Sequence, residues 1–215
     1  MKALQTDAFS NFLHQDLTLM DTREASAFKL GLVTGSINIP FNSNFVHWAV
    51  SLLTPGEPLI FIADNGVEVD VLNALAVSGF DQVKGYLAGG FESWKTAGLP
   101  ADLILDVDAD ELMMDLPYDD RLIVVDVRTE AEFAEGHLAN AINIPLADMK
   151  DPLSFARFEE QDNLYLHSGE DTRSVMAASL FKRQGMHNVR VVNGGWHAIK
   201  KQPRAEIEKD PERFN

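Results

Sequence analysis

The sequence predicts two tandem α/β domains, each a mainly parallel sheet flanked by helices on both faces. Two observations carry this. A long segment recurs once along the chain, and within each copy β-branched apolar runs alternate with stretches of helical period. A third is punctuation: Gly98-Leu99-Pro100 closes the first copy, where glycine and proline stop a short helix and mark a boundary.

The repeat is direct. Residues 17 to 40, LTLMDTREASAFKLGLVTGSINIP, reappear at residues 122 to 145 as LIVVDVRTEAEFAEGHLANAINIP. Asp21 falls on Asp126, Arg23 on Arg128, Phe28 on Phe133 and Pro40 on Pro145, an offset of 105 without a gap. The same offset sets Tyr86 to Phe91 against Val191 to Trp196. Both copies therefore share a beginning and an end, which places one domain at residues 1–101 and the other at 102–215. Residues 101–107 read as the linker. A chain of 215 residues suits two units of about 100.

In the second copy, residues 122–125, 163–166 and 189–192 read as buried strands. Residues 130–135 read as a short helix, and 173–184 as a longer one ended by Gly185. Strands separated by helices imply a parallel sheet covered on both sides. In open sheets of that kind, ligands sit at the carboxyl ends of strands, where loops enter helices.

Composition narrows the function. The chain is 46% hydrophobic and 24% charged, the profile of a folded globular protein. Its net charge of −15, acidic in both halves and without a basic run, argues against nucleic acid and anionic membranes. No stretch approaches the roughly 20 apolar residues of a membrane helix, and the start lacks the pattern of a secretory signal; the expected location is the cytoplasm. The six histidines, His14, His47, His137, His167, His187 and His197, are scattered, so no metal site and no cofactor is expected. They read as surface or hydrogen-bonded structural residues. There is no cysteine, which excludes disulfides and every mechanism with a cysteine nucleophile.

The strand ending at Leu166 runs into His167-Ser168-Gly169-Glu170-Asp171-Thr172-Arg173-Ser174 and then a helix. A loop wrapped over a helix N-terminus turns backbone N–H groups inward and makes a seat for an anion. This loop, Ser168 through Ser174, is the candidate site.

Asp126-Val127-Arg128, the run from Glu135 to Pro145, the loop with Arg173-Ser174 leading into Met176-Ala177-Ala178, and the closing Gly194-Gly195-Trp196 together resemble the rhodanese domains. The resemblance spans the second copy. It implies sulfurtransferase chemistry on a cysteine at the first loop position, with an arginine at the sixth; these map onto Ser168 and Arg173. The pair of copies is similar to the tandem rhodanese region that follows a metallo-β-lactamase-like domain in some bacterial sulfur-oxidation proteins. Gly85 to Phe91 with Trp94, and Asn44 to Trp48, carry that likeness. The partners it implies are an anionic sulfur-containing small molecule and a protein such as a metallo-hydrolase of sulfur oxidation.

Ser168 departs from the family. A hydroxyl is weakly nucleophilic at neutral pH without an adjacent base, and it cannot hold sulfur as a persulfide. Glu170 and Asp171 are a second departure. Turned inward, each would oppose an anion by about 1 to 4 kcal/mol at close range; turned outward, they favour the helix N-terminus. The expectation is a catalytically silent protein that binds a ligand or partner in sulfur metabolism. One alternative is a sulfurtransferase in which serine has recently or artificially replaced the cysteine, so that Ser168→Cys restores transfer. Another is a Ser168 hydrolase with a histidine base, although G-x-S-x-G is missing and His167, at i−1, is badly aimed.

The first copy reads as a degenerate domain. Its corresponding loop, with Asp64, Asn65 and Gly66, has no arginine and one or two fewer residues, with Asp64 near the nucleophile position. Arg23 and Arg128 read as structural ion-pair partners of Asp21 and Asp126. Trp94 and Trp196 read as packing residues, and the acidic tail from Glu206 to Asn215 as a solvated end.

Overall fold

The structure, a computed structural model, describes residues 2–210. The chain divides into two compact units, Met1–Leu103 and Ile104–Asn215.

In the first unit the elements run β1 (Ala3–Leu4), α1 (Thr6–Phe12), β2 (Thr18–Asp21), α2 (Ala25–Lys29), β3 (Ile37–Asn38), α3 (Phe45–Leu52), β4 (Leu59–Ile62), α4 (Glu68–Val77), β5 (Val83–Leu87) and α5 (Gly90–Thr96). The sheet order is β1-β5-β4-β2-β3, parallel at every step. Strand β4 is buried at all its positions, as a central strand covered on both faces must be. Ile60 and Ile62 pack with Phe9 of α1 and with Phe91 and Trp94 of α5. Strand alternation turns Phe61 to the opposite face.

The second unit runs β6 (Leu105–Val107), α6 (Ala109–Asp115), β7 (Leu122–Asp126), α7 (Glu130–Ala134), β8 (His137–Leu138), β9 (Ile142–Asn143), β10 (Asn163–His167), α8 (Asp171–Arg183), β11 (Val189–Val192), α9 (Gly195–Ile199) and β12 (Ile207–Glu208). Its sheet, β6-β11-β10-β7-β9, is parallel throughout. Tyr165 and Val192 pack on Leu112 of α6 and Ile199 of α9. Helix α8 lies against β10 and β11 with Val175 to Phe181 buried. Two 3-10 turns, Leu146–Lys150 and Pro152–Phe155, stand where the first unit has α3, and Phe155 and Phe158 pack edge-on against Phe181.

Two expectations are corrected. Residues 101–107 are not simply a linker: Asp102 bridges to Leu32, and Leu105–Val107 forms an edge strand beside β11. Nor is the acidic tail from Glu206 wholly free in solvent. Ile207–Glu208 pairs antiparallel with β8, and the Asp210 N–H donates to the Ala134 carbonyl at 3.1 Å. The remainder of that tail, residues 211–215, lies outside the described residues. Both strands are too short for alternation to announce them.

Candidate functional site

The site rests on a frame that both units build identically. Arg128 Nη2 donates to Asp126 Oδ2 at 2.6 Å and to the Gly136 carbonyl at 2.8 Å; Arg23 does the same with Asp21 and Gly31 at the same distances. Asn143 Nδ2 donates to the carbonyls of Asp126 and Arg128, and Asn38 to those of Asp21 and Arg23. Each guanidinium lies over a ring of the closing helix, Arg128 over Trp196 at 4.5 Å and Arg23 over Phe91 at 4.1 Å. Both ion pairs are buried with their hydrogen bonds satisfied. They hold the end of the central strands in place and are structural, as the sequence implies.

On this frame β10 delivers Ser168. Only residues 168–170 lie between strand and helix before α8 starts at Asp171. Ser168 is fully buried. Its carbonyl accepts from the Trp196 N–H at 2.8 Å, and its hydroxyl donates to the Glu170 carbonyl. The turn is packed hard against α9: a Cβ on Gly195 would stand 2.1 Å from the Ser168 oxygen. Ser174 is buried and returns its hydroxyl to the Asp171 carbonyl at 2.8 Å, while Gly169 and Thr172 are half-buried. Glu170 and Asp171 are both exposed, with Asp171 in the first turn of α8, where an acidic side chain is favourable. Glu170 nevertheless lies close enough to Arg173 for its charge to favour the guanidinium cation.

Arg173 does not stand open. Its Nη1 donates to Glu132 Oε2 and its Nη2 to Glu132 Oε1, both at 2.9 Å, a two-pronged match of fork and carboxylate. Glu132 is itself fixed, because its Oε2 also accepts from the Thr129 N–H and hydroxyl at 3.0 Å in the capping box of α7. The bonds to Arg173 hold the Glu132 carboxyl at a pKa of about 2, with partial burial opposing and Thr129 adding to the effect. Sequence reading missed Glu132. The T-x-x-E spacing marks it as a cap, but nothing in the sequence ties it to a residue 41 positions away.

His167 was also misread. It is neither at the surface nor hydrogen-bonded: it is fully buried, and neither ring nitrogen has a partner. Its ring stacks on Trp196 at 6.2 Å between centroids, and its Nε2 lies 3.7 Å from Asp126 Oδ2. Burial pushes its pKa down to about 4; the Asp126 carboxylate resists this shift and the Arg128 cation adds to it. No hydrogen bond links it to Ser168, whose hydroxyl is turned to Glu170.

The first unit lacks these groups. Ile62 stands at the place of His167, Phe91 at that of Trp196 and Ala27 at that of Glu132. Gly90 approaches the Ala63 carbonyl as Gly195 approaches that of Ser168, with 2.7 Å to an added Cβ. The counterpart of Ser168 is therefore Ala63, one residue before Asp64. The stretch from Ile62 to the helix-ending Gly79 is one residue shorter than that from His167 to Gly185. Even so, more of it stays outside the helix, residues 63–67, because α4 starts late at Glu68. Asp64, Asn65 and Gly66 are exposed, and the Gly66 N–H donates to Glu68 Oε2 at 2.8 Å.

Among the described residues no helix is long and apolar enough to cross a membrane, and no group of three or more His, Asp or Glu is placed to hold a metal ion.

Comparison with known proteins finds relatives of part of the chain. A probable molybdopterin-synthase adenylyltransferase from Porphyra purpurea is 30% identical over 93 residues, which is 42% of this chain and 24% of that protein. An uncharacterized protein from Buchnera aphidicola is 28% identical over 90 residues, 40% of this chain and 60% of the other. A sulfurtransferase from Allochromatium vinosum is 24% identical over 93 residues, 43% of this chain and 85% of its own. The chain thus spans less than two thirds of the first two curated relatives. Among solved structures, a thiosulfate sulfurtransferase from Pseudomonas aeruginosa aligns with 99% of this chain and 44% of its own at 17% identity and a TM-score of 0.44. A rhodanese-like domain protein from Staphylococcus aureus aligns with 50% of this chain and all of its own at 26% identity and a TM-score of 0.44. The family model for the rhodanese-like domain matches twice, at residues 5–97 and 108–202, taking in most of the sequence. The chain belongs to the rhodanese-like domain family, as two tandem copies.

Proposed function

We propose that this chain is a catalytically silent rhodanese-like protein, a cytoplasmic binding or regulatory module of sulfur metabolism whose second domain takes an anionic sulfur-containing ligand at the loop from Ser168 to Arg173. One observation carries the reading: at the turn where relatives of the sulfurtransferase type need a thiolate, the chain offers a buried hydroxyl engaged with its own backbone. An alcohol so placed has no base to activate it and forms no persulfide. The protein partner this reading names is a metallo-hydrolase of sulfur oxidation; its support is the likeness of the paired copies to the tandem region of such proteins.

The test is a sulfur-transfer assay with thiosulfate or a persulfide as donor and cyanide as acceptor. The expected result is no turnover above the uncatalysed rate, and clear turnover by the purified chain overturns the reading.

A second reading is supported by the intact setting of the turn. The short strand-to-helix loop, the Trp196 to Ser168 bond and Arg173 at the sixth position are the parts a sulfurtransferase loop requires. On this reading serine has replaced cysteine in an otherwise competent site. Ser168→Cys then gains transfer with thiosulfate, whereas an inactive Ser168→Cys protein of normal stability favours the silent module. A hydrolase reading finds no support, since no histidine is bonded to the Ser168 hydroxyl.

A further inference from the structure

The loop carries one guanidinium, and the chain already spends it. Both terminal nitrogens of Arg173 are bonded to the two oxygens of Glu132, the geometry in which arginine would grip a bidentate oxyanion. The pair lies across the loop itself: a Cβ on Gly169 would meet Arg173 Nη2 at 2.9 Å and Glu132 Oε1 at 3.6 Å. It is also within reach of solvent, with 21% of the Arg173 side chain and 37% of the Glu132 side chain exposed. The carboxylate would not leave with its partner released, because Thr129 holds it independently through the cap of α7.

The internal repeat shows that the fold does not require the pair. The first domain builds the same Asp-Arg frame with Ala27 in the place of Glu132 and no arginine in its loop. The two members occur together, in the domain that keeps the short loop, and neither occurs in the other.

We propose that Glu132 is an internal competitor for the loop: its carboxylate occupies the guanidinium that an anionic ligand would use, so loading the site is an exchange of one anion for another and Glu132 sets the affinity. The inference rests on the anion-binding reading above and names the residue that regulates it. The ligand class it selects is an oxyanion able to accept both Arg173 N–H bonds, and a singly bonded anion gains too little to displace the carboxylate.

Glu132→Gln provides the test. Glutamine keeps a carbonyl oxygen for the Thr129 bonds, so α7 retains its cap while the charge is lost. Thiosulfate is titrated into the wild-type chain, E132Q and the double variant E132Q/R173Q, with binding followed by calorimetry. The expected result is that E132Q binds about tenfold or more tightly than wild type, as removal of one well-formed competing ion pair allows, and that the gain vanishes in the double variant. Equal affinity of wild type and E132Q overturns the competitor role while leaving the anion site standing. Absence of binding in both overturns the site and the competitor together. Should E132Q fold poorly, Glu132→Ala removes the same charge and must give the same ranking.

Discussion

Gly195 and Ser168 touch through backbone alone: the Ser168 carbonyl points at the α-carbon of Gly195, leaving 2.1 Å for any side-chain atom there. Gly195 also has φ +48°, where a Cβ is itself unfavourable. The closing helix is thereby set directly against the turn that carries the candidate site.

Gly195→Ala should therefore cost about 3 kcal/mol, combining left-handed strain with displacement of a main-chain oxygen. Gly98→Ala, at φ +68° but with open space around it, should cost about 1 kcal/mol. Urea unfolding of the two variants checks the difference. Equal losses would show that the contact with Ser168 is easily relieved.

His167 should make the second domain sensitive to mild acid. The folded state holds the imidazole neutral down to about pH 4, whereas the unfolded chain protonates it near 6.5. Because the unfolded state binds more protons in that interval, stability falls as pH drops from 6.5 toward 4 and stops falling below it, by about 3 kcal/mol in all. The charges facing the ring are Asp126 and Arg128. His167→Ile, which installs the residue found at position 62, should remove this slope. Its stability at pH 7 should match or exceed that of wild type, since an unpartnered polar ring is replaced by hydrocarbon. Unfolding midpoints measured across the interval decide it.

The Glu132 to Arg173 pair should act in a lower window. The Glu132 carboxyl is held at about 2, below its unfolded value of 4.5, so its contribution is present above pH 4.5 and is lost as pH falls toward 2. Its half-open position keeps the effect small and salt-dependent. E132Q should flatten the stability profile below pH 4.5 and leave the stretch between 6.5 and 4.5 unchanged, a separation that distinguishes it from His167→Ile.

The two buried frames should fail alike. Asp126→Ala strands the Arg128 guanidinium in the second domain, and Asp21→Ala strands Arg23 in the first. Each should cost about 3 to 5 kcal/mol. Hydrogen exchange should locate each loss in the domain that carries the substitution; a large loss from one and none from the other would deny that they do the same work.

The sequence made the frame legible because the repeat aligned Asp21-Arg23 with Asp126-Arg128 inside uninterrupted segments. Ser168 was legible because strand, turn and helix follow one another without a gap. Glu132 was not, since its tie to Arg173 exists only after β7 and β10 lie side by side. The sequence places the nucleophile position only near Asp64, not on Ala63, because letters alone do not locate a deletion inside a loop. From sequence His167 reads as an ordinary surface or hydrogen-bonded residue because most histidines are one or the other. That its ring stacks on Trp196 while its Nε2 lies 3.7 Å from a carboxylate already engaged by Arg128 is a matter of packing.

The duplication also supplies an internal blueprint for rewriting the molecule. Since one half carries isoleucine, phenylalanine and alanine at positions 62, 91 and 27, while the other carries histidine, tryptophan and glutamate at 167, 196 and 132, the trio can be transplanted as a set. Giving the second half its sibling's residues should yield a hydrocarbon-lined copy that still closes, so whatever ligand recognition disappears with the exchange can be assigned to three side chains instead of to the scaffold.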